Sequence, residues 1–226
     1  LQGVGQKDII HLVRGAGAGS QKYGVLTWSG DIHSSFQSMK QQIRAGLDMG
    51  LAGIPWWTTD IGGFLGGDNE DPAFQELLGR WFAWGVLSPV VRLHGERSPY
   101  SEREQEYRDG IRLFSSAQDN EIWSWGEENY AILKEFLMMR ERLRPYIRKC
   151  MKKAHEKGTP IIRPLFYDIP EDAACWEIDD CYFFGPDLLV APVTDAGVTT
   201  KEVYLPSGHS WTEAKTKKQY TGGQTV

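Results

Sequence analysis

The sequence predicts an α/β fold with a parallel sheet, followed by a smaller, mainly β segment. Short apolar runs alternate with amphipathic segments in the first part of the chain, which predicts strands and helices in turn. Because strands joined by helices pair in parallel through right-handed crossovers, we expect one parallel sheet. After Thr159 the pattern changes to short alternating segments separated by Gly, Pro and Asp, which is typical of antiparallel β structure.

The first 93 residues contain four predicted strands and two predicted helices. The strands are expected at 8–14, 23–28, 51–59 and 89–93, and the helices at 36–49 and 72–87. Ser34 or Ser35 can cap the first helix with its hydroxyl. Pro72 suits the first turn of the second helix, where no amide hydrogen is needed. A polar loop is then expected from His94 to about residue 127.

A third and longer helix is predicted over about residues 127–157. Its apolar residues recur along one side, so this helix can cover the sheet. We expect a kink at Pro145 and an end at Gly158, because proline removes a helical hydrogen bond and glycine commonly follows a helix. The β segment is expected to begin between residues 160 and 180.

Composition excludes several classes of protein. The 226 residues are 41% hydrophobic with a net charge of −5, which is ordinary for a globular protein. No run approaches the ~20 apolar residues of a membrane-spanning helix. No basic stripe is present for a phosphate backbone, so we expect neither a membrane nor a nucleic-acid partner. The opening residues LQGVGQKDII show no signal-peptide pattern, which favours a cytoplasmic location.

No cofactor or metal ion is expected. The three cysteines, Cys150, Cys175 and Cys181, are odd in number and lack a paired short spacing, so buried free thiols are predicted rather than disulfides or a zinc site. The acids and histidines do not fall at metal-ligand spacing on one element. The glycine-rich GAGAGS does not open a helix, which makes it a poor match to a dinucleotide-binding loop.

A polar residue follows each predicted strand of the first part: Arg14, Asp31, Asp60 and His94. The carboxyl ends of parallel strands lie on one side of a sheet, so these four residues should converge on one pocket. Structural roles remain open for all of them. His94, for example, can be a buried strand-end histidine, and Arg14 can pair with any acid.

The chemistry of this cluster suits a neutral ligand rich in hydroxyl groups. Two carboxylates, an arginine and a histidine lie near Trp28, Trp56 and Trp57, and glycosyl transfer requires paired carboxylates. The structural alternatives are that Asp31 caps the following helix and that Asp60 begins an Asx turn. Adjacent strand residues point to opposite faces, so at least one of Trp56 and Trp57 should belong to the core.

Several segments in series resemble glycoside hydrolase family 31, which includes α-glucosidases and α-xylosidases. AGSQKYGVLTWSGDI, GIPWWTTDIGGF and VRLHGE resemble the later barrel motifs of that family, in order. GPDLLVAPV and VYLPSGHSWTEAKTKKQYTGGQ resemble its C-terminal β-sandwich. The resemblance covers essentially the whole chain. It implies the second half of a (β/α)8 TIM barrel over residues 1–160, followed by part of an antiparallel β-sandwich over residues 161–226.

The resemblance also implies a role for each matching residue. Asp31, in WSGD, matches the general acid/base, which protonates the glycosidic oxygen and later deprotonates water. By the period-two alternation of a strand, Arg92 should share the face of His94 and support that residue. An α-linked oligosaccharide or glycoside is the implied substrate. The residues implied for sugar binding are Arg14, Trp28, Asp60, Phe64 and His94.

One catalytic group of the family has no match in this sequence. The family's nucleophilic aspartate follows the fourth barrel strand, upstream of the acid/base, yet no WxD-x-x-E-like segment occurs between Leu1 and Asp31. The resemblance thus implies a retaining exo-acting α-glycosidase whose nucleophile lies upstream of this chain. The isolated chain is expected to be inactive, with the missing N-terminal half barrel or another copy of the chain as its protein partner. A non-catalytic carbohydrate-binding fragment is the alternative.

Overall fold

The protein was analysed as a computed structural model, which describes residues 9–98, 107–108, 111–112 and 118–226. Its helices are α1 (Phe36–Leu51), α2 (Pro72–Gly85), α3 (Gly126–Lys157) and α4 (Leu165–Asp168). Its strands in the first part are β1 (His11–Val13), β2 (Val25–Trp28), β3 (Trp57–Thr58), β4 (Gly67–Asp68), β5 (Arg97–Ser98), β6 (Tyr107–Arg108) and β7 (Ile111–Arg112). The later strands are β8 (Ile162–Arg163), β9 (Tyr182–Phe184), β10 (Leu188–Val190), β11 (Tyr204–Leu205), β12 (Ser210–Thr212), β13 (Gln219–Thr221) and β14 (Gln224–Thr225).

The first three strands form the predicted parallel sheet, in the order β1-β2-β3. Val13 is level with Thr27, and Thr27 is level with Trp57. The third strand is shorter than predicted because α1 runs on through Leu51 and the intervening segment contains Pro55, which has no amide hydrogen for a ladder.

The predicted fourth strand at 89–93 is wrong, because this segment forms no ladder with β3. Two isolated hydrogen bonds attach the segment to β3 and to the residues just after it. The Thr58 hydroxyl donates to the carbonyl of Val90 at 2.9 Å, and the Ile61 amide donates to the carbonyl of Arg92 at 3.2 Å. Pro89 has no amide hydrogen to donate to a ladder, and the residues after it meet β3 only through these two bonds.

The helices begin and end close to the predicted positions. Ser35, one of the two predicted caps, accepts the amide hydrogen of Ser38 and starts α1. Asp71 caps α2, with Pro72 in the first turn as predicted. The long helix α3 continues through Pro145, and Gly158 follows its last residue in the left-handed conformation with φ of 70°.

The main hydrophobic core lies between the three long helices, the parallel sheet and strand β9. Trp57, Trp81, Trp84, Tyr182 and Phe184 are each at most 3% exposed within it. Trp57 is therefore the core member of the Trp56–Trp57 pair, as the alternation predicted. Burial of such large rings is the dominant favourable contribution to folding.

Antiparallel β structure follows α3. Strands β8, β9 and β10 form one sheet in the order β10-β9-β8, and β11 pairs with β14 while β12 pairs with β13. A second, smaller core packs beneath them and includes two of the cysteines. All three cysteines are buried free thiols, as predicted. The members of the second core are Leu165, Ile169, Cys175, Cys181 and Phe183.

None of the helices in the described ranges is long and apolar enough to cross a membrane.

Tyr182 joins the two parts of the chain and provides a test of their packing. Its buried hydroxyl donates to the Leu87 carbonyl at 2.9 Å, just beyond the end of α2. We expect Tyr182→Phe to lower the free energy of unfolding by about 1 kcal/mol, because the Leu87 carbonyl loses its donor in a dry site. Urea denaturation measures this change. Tyr23→Phe, on a ring that is 65% exposed, is the control and should change stability little. Equal losses of stability in the two variants would contradict a stabilising role for the Tyr182–Leu87 hydrogen bond.

Candidate active site

The register of the parallel sheet aligns the residues that follow its strands. Val13 and Thr27 are paired, so Arg14 lies level with Trp28, which is itself paired with Thr58. The Arg14 guanidinium lies 6.0 Å from the centroid of the Trp28 ring. The predicted convergence of strand-end residues therefore follows directly from the pairing of β1 with β2 and β3.

Asp31 forms a salt bridge with Arg14 rather than capping α1. The two side chains remain accessible, with 44% of Asp31 and 62% of Arg14 exposed. The hydrogen bond and charge of the Asp31 carboxylate raise the pKa of Arg14. An accessible carboxylate held by a cation can meet a ligand from solvent, and the capping role belongs to Ser35 instead.

Asp60 is a fully buried carboxylate that pairs with an arginine. Its side chain is 0% exposed and forms a salt bridge with Arg92, of which 21% is exposed. Oδ1 of Asp60 contacts Nη1 of Arg92, whereas Oδ2 has no hydrogen-bond partner among the described residues. Burying a charged group without such bonds is costly, and buried acceptors are normally satisfied.

Trp28 links the Asp31 side of the cluster to the Asp60 side. Its ring lies 5.6 Å from the Arg92 guanidinium, in addition to its contact with Arg14, so two cations approach one indole. Ser29 strengthens the link, because its hydroxyl accepts the backbone amide of Asp60 at 3.3 Å. The two carboxylates thus belong to one continuous cluster.

Phe64 and His94 form a second wall of the cluster. Their ring centroids are 5.4 Å apart, with planes tilted by 34°. His94 is exposed, contrary to the alternative of a buried strand-end histidine. Desolvation and the positive charges of Arg92 and Arg97 lower the pKa of His94. The negative charge of Asp31 raises this pKa and offsets part of the shift. The neutral imidazole offers one donor and one acceptor to a ligand.

The loop from Asp60 to Phe64 depends on two adjacent glycines in the left-handed region. Gly62 has φ of 85° and Gly63 has φ of 80°. A Cβ on Gly63 would lie 2.7 Å from the backbone of Ser34, so the chain could not approach so closely with any other residue. The Gly63 amide closes the turn on the Asp60 carbonyl at 2.9 Å. The Asp60 side chain takes no part in this turn, so the Asx-turn alternative is wrong.

Sequence reasoning missed the groups that hold this loop in place. Arg97 is 0% exposed and donates to backbone carbonyls of the loop. Ser29, between two motif residues, was also missed. No sequence pattern singles out Arg97, because its backbone partners lie in a separate segment of the chain.

The described residues contain no cluster of three or more His, Cys, Asp or Glu side chains that could hold a metal ion. A cavity of about 200 Å³ lies away from the strand-end residues, between α1 and the C-terminal part. Four of its charged lining residues are paired with one another, Lys40 with Asp195 and Arg44 with Asp179. Its lining residues are Lys40, Ile43, Arg44, Asp179, Asp180, Thr194 and Asp195.

Carboxylates, cations and aromatic walls at the carboxyl ends of parallel strands define an α/β protein of the kind that binds small ligands at that face. The family-31 glycosyl hydrolase TIM-barrel domain matches residues 2–149. The C-terminal domain of the same family matches residues 158–226. The chain therefore belongs to glycoside hydrolase family 31, as its motifs predicted, with a TIM-barrel domain followed by the family's C-terminal domain.

Known relatives are α-glycosidases. An α-xylosidase of Saccharolobus solfataricus is 34% identical over 99% of this chain and 28% of its own length. Alpha-xylosidase A of Aspergillus niger is 34% identical over 97% of this chain and 31% of its own length. A crystal structure of a GH31 α-xylosidase from a soil metagenome, complexed with xylose, is 56% identical with a TM-score of 0.96, covering all of this chain and 33% of that one. The chain spans about a third of the length of these relatives.

The glycine loop provides a matched pair of substitutions. Gly63→Ala and Gly66→Ala both place a side chain at positive φ, but only Gly63 has backbone within reach of the new Cβ. We expect Gly66→Ala to cost about 1–2 kcal/mol from the left-handed backbone alone. Gly63→Ala should cost clearly more, because Ser34 must also move. Chemical denaturation of both variants measures the difference, and equal losses would contradict the close approach.

The pKa of His94 can be tested by an NMR pH titration of its ring protons, assigned with His94→Gln. We expect a midpoint below the ordinary value of 6.5, because desolvation and two neighbouring arginines disfavour the imidazolium. As the pH falls below 6.5 the unfolded chain then binds its proton first, so His94 makes the fold less stable in that range. A midpoint at or above 6.5 would refute this electrostatic picture.

Proposed function

We propose that this chain supplies the acid/base and sugar-binding part of a retaining exo-acting α-glycosidase site, in the second half of a (β/α)8 barrel. The substrate would be an oligosaccharide or glycoside with a terminal α-linked xylose or glucose. The single observation that carries the proposal is the pairing of two carboxylates, Asp31 and Asp60, with two arginines around the Trp28 ring at the carboxyl ends of the strands. Sugar hydroxyl groups are donors of the right kind for carboxylate acceptors.

In this proposal Asp31 is the general acid/base. It donates a proton to the glycosidic oxygen as the bond to the anomeric carbon breaks, and later removes a proton from the water that hydrolyses the intermediate. Its 44% exposure supports the assignment, because the group must reach both the leaving group and water. The salt bridge with Arg14 orients the carboxylate toward the same face as Trp28.

The remaining residues would bind the terminal sugar. Asp60 accepts two hydroxyl hydrogens while Arg92 neutralises its charge. His94 contributes a neutral donor–acceptor pair, and Phe64 lies against it as an apolar wall. Trp28 offers a flat face for the ring carbons, which stack readily on aromatic groups. Arg14 would donate to a hydroxyl as well as orient the acid/base.

A retaining mechanism also needs a nucleophilic carboxylate about 5–5.5 Å from the acid/base. Asp60 is a poor candidate, because Arg92 neutralises it and its burial suits binding rather than attack. As the family resemblance implies, we assign the nucleophile to an aspartate upstream of Leu1. The chain alone should then bind sugar without hydrolysing it.

Two observations bear on the choice between xylose and glucose. The α-xylosidase complexed with xylose is 56% identical to this chain, which favours xylose. Neutral α-glucosidase C of Homo sapiens is 33% identical over 98% of this chain, and the chain spans 22% of that protein, so the same segment also serves a glucosidase. Xylose is therefore our first choice of sugar.

A carbohydrate-binding fragment without catalysis is the second candidate. One observation favours it: within the described residues the salt-bridge partner of Asp31 is the cation of Arg14, and no second carboxylate is seen to pair with it. Both candidates predict sugar binding by this chain. They differ in whether Asp31 acts on a substrate when the nucleophile is supplied.

Sugar binding is tested by titrating the chain with xylose and glucose and following backbone amide shifts by NMR. We expect Asp60→Asn to weaken xylose binding about tenfold or more, because the charge-assisted hydrogen bonds to the sugar are lost. Glu141→Gln, in an exposed pair with Arg144 on α3, is the charge-matched control and should bind normally. Undetectable binding by the unaltered chain would refute both candidates.

Catalysis is tested by mixing the chain with a separately made fragment of the soil-metagenome α-xylosidase that precedes the matched region. We expect hydrolysis of an α-xylosyl disaccharide only in the mixture, and none with Asp31→Ala. Aryl α-xyloside turnover by Asp31→Ala should return with azide, which needs no general base to attack the intermediate. Persistent inactivity with normal sugar binding would favour the non-catalytic candidate.

A further inference from the structure

Among the described residues, Arg97 is a buried cation with no carboxylate paired to it, directly beside the loop proposed to bind sugar. Its side chain is 0% exposed. Burial lowers its pKa to about 10. A charged group in such a site is costly unless hydrogen bonds satisfy it, so its contacts define what it stabilises.

Those contacts join the two segments that carry the proposed sugar-binding residues. Nη1 donates to the carbonyl of Gly63 at 2.8 Å, and Nη2 donates to the carbonyl of Ile61 at 3.0 Å. Nη2 also lies 3.4 Å from the carbonyl of His94. One planar guanidinium therefore holds the middle of the loop between Asp60 and Phe64 to the residue whose ring packs on Phe64.

Glycines make room for the guanidinium on several sides. A Cβ on Gly67 would lie 2.9 Å from Nη1, and one on Gly62 would lie 3.2 Å from Nη2. A Cβ on Gly95 would collide with the guanidinium carbon itself. The ring of Phe74 adds a cation–π contact, with its centroid 4.9 Å from the guanidinium carbon. The pocket thus fits an arginine closely.

We propose that Arg97 is the positioning residue of this site, which fixes the spacing between the Asp60 carboxylate and the Phe64–His94 wall. The proposal rests on the proposed sugar-binding role of those residues. No β-ladder attaches the segment 89–96 to β3, so side-chain hydrogen bonds carry much of this attachment. Backbone contacts at each end of the loop, from Ile61 to Arg92 and from Glu96 to Phe64, complete the attachment.

The charge of Arg97 has a second consequence for His94. The charged groups that act on this imidazole are Arg92, Arg97 and Asp31, of which the two arginines lower its pKa and the aspartate raises it. Arg97 therefore helps to keep His94 neutral, in the form that can both donate to and accept from sugar hydroxyls.

Substitutions can separate geometry from charge. Arg97→Lys keeps the positive charge but cannot bridge three carbonyls, whereas Arg97→Met removes both. Arg140 provides a matched control, because it also donates to three backbone carbonyls, of Val86, Ser88 and Pro89. Its pKa is likewise lowered to about 10 by burial, and it lies outside the charges that act on His94.

The 226-residue chain is studied by NMR with three readouts: the cross-relaxation between the Phe64 and His94 rings, the His94 titration midpoint, and xylose binding. We expect both Arg97 variants to lose the ring contact and to bind xylose about tenfold more weakly, the equivalent of one charge-assisted hydrogen bond. The His94 midpoint should rise in Arg97→Met and remain low in Arg97→Lys. Arg140→Met should lower the melting temperature without changing any of the three.

The outcomes separate this proposal from the proposed function. If the unaltered chain binds no xylose, the proposed function fails, while the ring contact and the His94 midpoint still test Arg97. An unchanged ring contact in folded Arg97→Lys would overturn the positioning role. Equal changes in Arg140→Met would overturn it too, because they would reflect general loosening. If Arg97→Met does not fold, Arg97→Lys decides the outcome through the ring contact.

Discussion

The parallel register of β1, β2 and β3 is the constraint on which the rest of the site depends. Because Val13, Thr27 and Trp57 are level, the residues that follow them are delivered to one face. A shift of one residue in either pairing would turn every side chain to the opposite side of the sheet. Burial of Trp57 on the inner side fixes that register, so hydrophobic packing determines where Asp31 and Asp60 lie.

Beyond β3 the chain uses side chains where the sheet offers no ladder. The segment 89–96 is attached by the hydroxyl of Thr58 and by the guanidinium of Arg97. Arg140 instead stabilises the junction after α2, where it donates to the carbonyls of Val86, Ser88 and Pro89. Buried arginines suit this work, because one planar group can satisfy several carbonyls at once. The result is a binding face built partly from irregular backbone.

Local sequence patterns predicted much of the architecture. The helical spacing of apolar residues, the cap at Ser35 and the glycine at Gly158 placed α1, α2 and α3 within a few residues, because these features act over a turn or two of helix. The motif residues from Arg14 to His94 could also be named from the sequence, because they lie in or beside short contiguous motifs. The 89–93 strand was not predicted correctly, since its apolar run resembles a strand while its pairing depends on distant partners.

The sequence by itself determined the family, the positions of the three long helices and the identity of the candidate sugar-binding residues, because local patterns and contiguous motifs carry that information. Only the tertiary structure decided which charges meet: Arg14 with Asp31, Arg92 with Asp60, and Arg97 with backbone carbonyls. Such pairings join residues 17 to 36 positions apart, and no periodic pattern encodes them. They arise when the folded chain buries a charge and must satisfy it with whatever group lies nearest.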